Sequence, residues 1–177
     1  MNVVLIGYRG TGKSSVAERV AAGLGYGVAS LDREIVARAG MSVPEIVSAQ
    51  GWPGFRDIEE RICREACARE RVVIDCGGGV VERPANATAL RAAGVVFWLK
   101  ARVDTIVARI QGDTERPSLT GRGSFTDEVA EVLARRAPLY RAAAHHEVDT
   151  DSRTPAEIAG EILAIVGAPR ASPGDVP

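Results

Sequence analysis

Residues 7–14 read Gly7-Tyr8-Arg9-Gly10-Thr11-Gly12-Lys13-Ser14, which satisfies the pattern G-x-x-x-x-G-K-[ST] at every fixed position. The pattern constrains the fold because it works only as the turn between a buried strand and a helix. Both flanks comply. Val3-Val4-Leu5-Ile6 is an apolar run of strand length, and Val16, Val20 and Leu24 recur at helical spacing until Gly25. In such a turn the glycines let backbone N–H groups fold around phosphate oxygens, which the helix N-terminus attracts further. Lys13 is placed to reach the β- and γ-phosphates, and the Ser14 hydroxyl to ligate Mg²⁺. Gly10, Thr11, Gly12, Lys13, Ser14 and Ser15 are therefore the expected binding residues for a nucleoside triphosphate.

The rest of the chain repeats the same alternation. Strands are expected at 28–31, 72–74, 95–99 and weakly at 147–149. Helical patterns cover 13–24, a stretch from Asp32 to Gly40, 42–50, 54–69, 85–92, 103–110, 126–140 and 155–166. Buried strands separated by helices imply a three-layer α/β/α domain with a five-stranded parallel sheet. One such domain is expected over 1–167, followed by a free tail at 168–177. The chain has 177 residues, of which 46% are hydrophobic and 25% charged, so it can bury a core without disulfides or structural metal.

Charge and cysteine content exclude several functions. Lys+Arg total 22 against Asp+Glu 23, which offers no basic excess for nucleic acid or anionic lipid. Lys13 and Lys100 are the only lysines. The opening apolar run is too short for a secretory leader, and no stretch reaches the ~18 apolar residues of a membrane span. Cys63, Cys67 and Cys76 are too few for a disulfide framework and read as reduced thiols of a cytoplasmic protein.

A phosphate-binding loop alone fits a kinase, a GTPase, a motor or a silent nucleotide-binding module. The chain is short for a motor, and the N-K-x-D motif that reads guanine is absent. Three further features fall near strand ends, where open α/β sheets bind ligands. Asp32 opens a helix after the second strand, either as a cap or as a site acid. Gly77-Gly78-Gly79 follows the strand at 72–74, as a plain turn or a close approach to ligand. Arg56 and Glu59 lie i,i+3 on one helix and by themselves read as a surface pair.

In order and spacing these marks resemble the shikimate kinases, small kinases related in fold to the nucleoside monophosphate kinases. The resemblance spans nearly the whole chain. It rests on residues 7–14, Leu31-Asp32 with Glu34-Ile35, and Gly51 followed by Phe55-Arg56 and Glu59. It continues through Gly77-Gly78-Gly79, Arg116-Pro117 with Leu119, Arg136-Ala137-Pro138-Leu139-Tyr140, and Val148-Asp149-Thr150 with Arg153 and Pro155. The resemblance implies transfer of the ATP γ-phosphoryl group to the 3-hydroxyl of shikimate, with Mg²⁺; a monomer is the expected state. It makes Asp32, Lys13 and Arg116 catalytic, with Asp32 against the attacking hydroxyl and Arg116 on the phosphates within a lid at 111–124. Arg56 and Arg136 match the grip on the shikimate carboxylate, and Gly78 and Gly79 the turn that touches its ring. Arg109, Arg153 and Pro155 match the adenine platform.

Two departures stand out. Ser30 occupies the place of an aspartate that usually helps hold Mg²⁺ through water, and Asp75 is expected to supply that outer-shell carboxylate instead. Trp52-Pro53 ahead of Phe55-Arg56 is also unusual. His145 and His146 read as surface residues. A related kinase acting on another hydroxy acid and a non-catalytic nucleotide-binding module stand as the rival readings.

Overall fold

Strand β1 (Asn2–Ile6) buries all five of its residues, as the central strand of a sheet covered on both faces must. Its alternation divides the interior. Val4 and Ile6 join one core cluster, whereas Val3 and Leu5 join another. The computed structural model describes residues 1–110 and 124–167. The expected lid at 111–124, with Arg116, lies outside them except for Ser124, and so does the expected tail.

Four more strands complete the sheet: β2 (Gly27–Ser30), β3 (Val72–Asp75), β4 (Gly94–Lys100) and β5 (His146–Asp149). All pairings are parallel, in the order β2-β3-β1-β4-β5. Helices α1 (Lys13–Leu24) and α7 (Pro155–Val166) cover the face that carries Val3, Leu5, Val73, Phe97 and Leu99. The other face packs under α2 (Leu31–Ala39), α3 (Val43–Cys67), α4 (Pro84–Ala93) and α6 (Phe125–Ala143). Helix α5 (Val103–Ile110) packs on α6 through Ile106, Ile110, Val129 and Val132, and Tyr8 of the glycine loop is part of that cluster.

Most elements fall within a residue or two of the sequence expectation. Residues 42–50 and 54–69 were expected as separate helices, and the stretch labelled α3 does break between them: Gly51 leaves the helical conformation (φ 69°, ψ 176°), so two helices meet there at a kink. Ser42 and Glu45 close a capping box at the start of α3. A three-residue 3₁₀ turn (Val80–Glu82) follows the triple glycine and had no signal in the pattern.

The strand order sets the location of the site. The chain leaves β1 toward β2 on one side and leaves the adjacent β3 toward β4 on the other. The crevice above the C-terminal ends of β1 and β3 is thus a topological switch point. Gly7 follows β1 there, and Gly77 follows β3. Among the described residues, no helix is long and apolar enough to cross a membrane.

Candidate active site

The glycine loop is held from below. Gly12 adopts φ 88°, a left-handed conformation that admits glycine readily, and caps α1. The Thr11 hydroxyl donates to the Tyr8 carbonyl at 2.8 Å. Lys13 is buried, and its Nζ donates to the carbonyls of Gly7 (2.9 Å) and Tyr8 (3.0 Å), folding the ammonium over the loop. Ser14 and Ser15 open α1 with exposed side chains.

Arg109, on α5, donates to the Gly10 carbonyl at 3.2 Å and to Thr150 just past β5. Arg153 donates to the Asp149 carbonyl at 3.0 Å and pairs with Glu161 at 2.7 Å, next to Pro155 at the first turn of α7. The expected adenine-side residues therefore meet at one turn beside the loop.

Beside the loop, Ser14 Oγ donates to Asp75 Oδ2 at 2.7 Å. Ser30 is the register partner of Asp75 across the β2–β3 pair, and its hydroxyl reaches the same oxygen at 3.4 Å. Asp75 is 6% exposed, and burial pushes its carboxyl above the usual aspartate range despite the nearby Lys13 and Ser14. A buried carboxylate joined to a hydroxyl supplies hard oxygen donors of the kind Mg²⁺ takes. Ser14, Ser30, Asp32 and Asp75 line one cavity of about 430 Å³, so the expected site acid and the expected metal donors share a space.

The triple glycine arranges the remaining groups. A Cβ at Gly77 would lie 2.8 Å from Asp32 Oδ1 and 2.9 Å from Glu59 Oε1, which places both carboxylates against this turn. Gly78 lies beneath Arg136, whose guanidinium also sits 5.9 Å above the Tyr8 ring. At Gly79 a Cβ would overlap the Arg56 guanidinium. The buried Tyr140 hydroxyl donates to the Gly78 carbonyl and pins the turn from α6. Sequence reasoning assigned Tyr140 no role.

Arg56 and Arg136 are 8% and 4% exposed. Arg56 Nη1 donates to the buried Glu59 at 2.6 Å, and the guanidinium lies over the rings of Trp52 (5.4 Å) and Phe55 (5.3 Å). The Arg56–Glu59 pair is thus interior rather than the surface pair its spacing first suggested, and Trp52 serves as a shelf for Arg56. Arg56 Nη2 reaches Glu82 at 3.0 Å, and Arg136 Nε reaches it at 2.9 Å. Glu82 is the group that sequence reasoning missed, because no motif contains it. Burial opposes its charge, but Arg136, Arg56 and Arg135 outweigh that and hold its carboxyl below the usual glutamate range.

His145 and His146 are exposed, as expected. His145 Nδ1 accepts from Val96 N at 3.0 Å, and His146 stacks on Phe97 at 5.1 Å. Cys63, Cys67 and Cys76 are all free thiols.

A family model described as shikimate kinase matches residues 9–166. The chain is 46% identical over 153 residues to the shikimate kinase of Nitratidesulfovibrio vulgaris, covering 85% of this chain and 87% of that one. It is 41% identical over 169 residues to the shikimate kinase of Oleidesulfovibrio alaskensis, covering 94% and 97%. Its fold superposes with a TM-score of 0.90 on the shikimate kinase of Acinetobacter baumannii in complex with shikimate, at 29% identity over 97% of this chain and 95% of that one.

Proposed function

The chain belongs to the shikimate kinase family, and on that premise we propose that it transfers the ATP γ-phosphoryl group to the 3-hydroxyl of shikimate. One observation carries the substrate assignment most directly: two buried arginines, Arg56 and Arg136, converge beside the triple glycine at the end of β3. A planar fork with paired donors suits a carboxylate better than any other side chain does.

In this reading the residues divide the work as follows. The loop of Gly10, Thr11, Gly12, Lys13, Ser14 and Ser15 binds the ATP phosphates, with Arg109, Arg153 and Pro155 flanking the base. Arg56 and Arg136 hold the substrate acid, while Gly78 and Gly79 let its ring approach the backbone. Asp32 orients the attacking hydroxyl and accepts its proton. Such transfer depends chiefly on positioning and charge stabilisation, so a single well-placed carboxylate suffices as acceptor. Arg116 is assigned to the phosphates by its match to the family pattern.

Ser14 would hold Mg²⁺ directly and Asp75 through water, with Ser30 steadying Asp75; the hydrogen bonds joining these three side chains support that assignment. When bound, the ion offsets charge on the β- and γ-phosphates. A monomer acting in the cytoplasm on free shikimate and ATP completes the reading.

Release of ADP, measured against a panel of hydroxy acids and nucleoside monophosphates, tests it. Shikimate is expected to give the highest kcat/KM. Brisk turnover of another acid with none of shikimate would overturn the assignment.

A further inference from the structure

Glu82 ends the 3₁₀ turn that Gly79 begins, and its carboxylate lies between the two arginines assigned to the substrate acid. Each oxygen serves a different arginine: Oε2 pairs with Arg56 Nη2 at 3.0 Å, and Oε1 accepts from Arg136 Nε at 2.9 Å. Arg135 Nη2 adds a third contact to Oε1 at 3.1 Å from the exposed rim. Among the described residues, no other carboxylate pairs with both Arg56 and Arg136.

Burial makes this link consequential. Arg56 and Arg136 are nearly enclosed, so water screens neither charge, and like charges that close repel. Arg56 keeps a second anion in Glu59, whereas Glu82 is the single ion-pair partner of Arg136 among the described residues. Without the Glu82 charge, no carboxylate among the described residues would pair with Arg136, and the link that ties it to Arg56 would be lost.

The donor arithmetic leaves room for substrate. A guanidinium offers five N–H groups. Arg136 gives its Nε–H to Glu82, its guanidinium also hydrogen-bonds the Tyr140 hydroxyl, and a terminal nitrogen lies over Gly78, which leaves N–H groups over for a ligand. Arg56 gives one terminal nitrogen to Glu59 and the other to Glu82, and each of these nitrogens carries a second N–H.

Resting on the reading of shikimate as substrate, we propose that Glu82 is a positioning residue of the acid grip. It ties the Arg56 and Arg136 guanidinium groups together at the spacing one substrate carboxylate requires, and it thereby sets the preference for the acid over a neutral analogue.

Steady-state kinetics of the full chain and of Glu82→Gln, with shikimate and with its methyl ester, test this. The neutral glutamine keeps the shape and removes the charge. The shikimate KM is expected to rise roughly ten- to a hundredfold, the scale of losing a charged hydrogen bond. The KM for ATP should stay within about twofold, and the acid-over-ester preference in kcat/KM should shrink by at least about tenfold. An unchanged or lower shikimate KM would overturn the proposal, as would equal losses on acid and ester. Glu82→Asp keeps the charge but is one methylene too short to span both arginines. It is expected to lose the same preference in part, and it decides the matter if the glutamine variant does not fold. If the wild-type chain itself fails to turn over shikimate, the functional reading falls and this role with it. If the wild type is active and the variants match it, the Glu82 role alone falls.

Discussion

Gly79→Ala separates a damaged substrate grip from a damaged fold. The backbone at Gly79 (φ −100°, ψ 7°) is open to alanine, so the substitution adds no left-handed strain. The new methyl group would overlap Arg56, with Nη1 at 2.6 Å and both Nη2 and Cζ nearer still. Ordinary contact needs about 3.5 Å, so the guanidinium must retreat by more than about 1 Å. The overpacking itself should cost about 1 kcal/mol, because the retreating group is the far end of a side chain, and loosening the buried Arg56–Glu59 pair brings the total to about 3 kcal/mol. For a chain of this size that lowers the melting temperature by about 6–12 °C. The grip fares worse. Arg56 would leave its 2.6 Å contact with Glu59 and its 3.0 Å contact with Glu82, and a displacement of this size costs about a hundredfold in kcat/KM. Melting followed by circular dichroism, together with shikimate titrations at saturating ATP, reads both quantities. A shikimate kcat/KM within about threefold of wild type would refute the reasoning, as would an equal loss in apparent ATP affinity.

Three further outcomes follow from the same geometry. Asp32→Ala should leave ATP binding intact by calorimetry and lower turnover by roughly 10²–10⁴, the range for losing a general base; a loss below about tenfold would remove Asp32 from its role. Asp75→Asn should raise the Mg²⁺ concentration needed for half-maximal turnover, and an unchanged titration would take Asp75 out of the metal site. The Glu82 carboxyl is held below the usual glutamate range in the folded state, so its stabilising contribution is full above that range and lost as the pH falls from it through the lower folded-state value. Urea unfolding at a series of acidic pH values should therefore show a shallower loss of stability for Glu82→Gln than for wild type, and parallel curves would contradict the linkage.

The parts legible in the sequence are those that local pattern dictates. The apolar run before Gly7, the spacing of Val16, Val20 and Leu24, and the proline at the start of α7 each act over a few residues, and their elements form as read. The break within α3 was legible because Gly51 and Pro53 both punctuate helices, and Gly51 does leave the helical conformation there. Asp75 was anticipated from its place at a strand end, but its tie to Ser30 depends on the register of β2 against β3, which no single segment encodes. Glu82 left no signal at all, since its partner Arg136 lies 54 residues away and the 3₁₀ turn that aims it is too short to show a period. The burial of the Arg56–Glu59 pair likewise depends on what covers α3, including the Trp52 ring.

The central claim is a transfer between two named atoms, and the product tests it. After incubation of the chain with ATP, Mg²⁺ and shikimate, phosphorus–proton correlation by NMR identifies which carbon bears the new phosphate. The account predicts one new phosphomonoester per ADP formed, with its phosphorus coupled to the proton on carbon 3 of shikimate. Coupling to a proton on another carbon, or ADP accompanied only by inorganic phosphate, would contradict it.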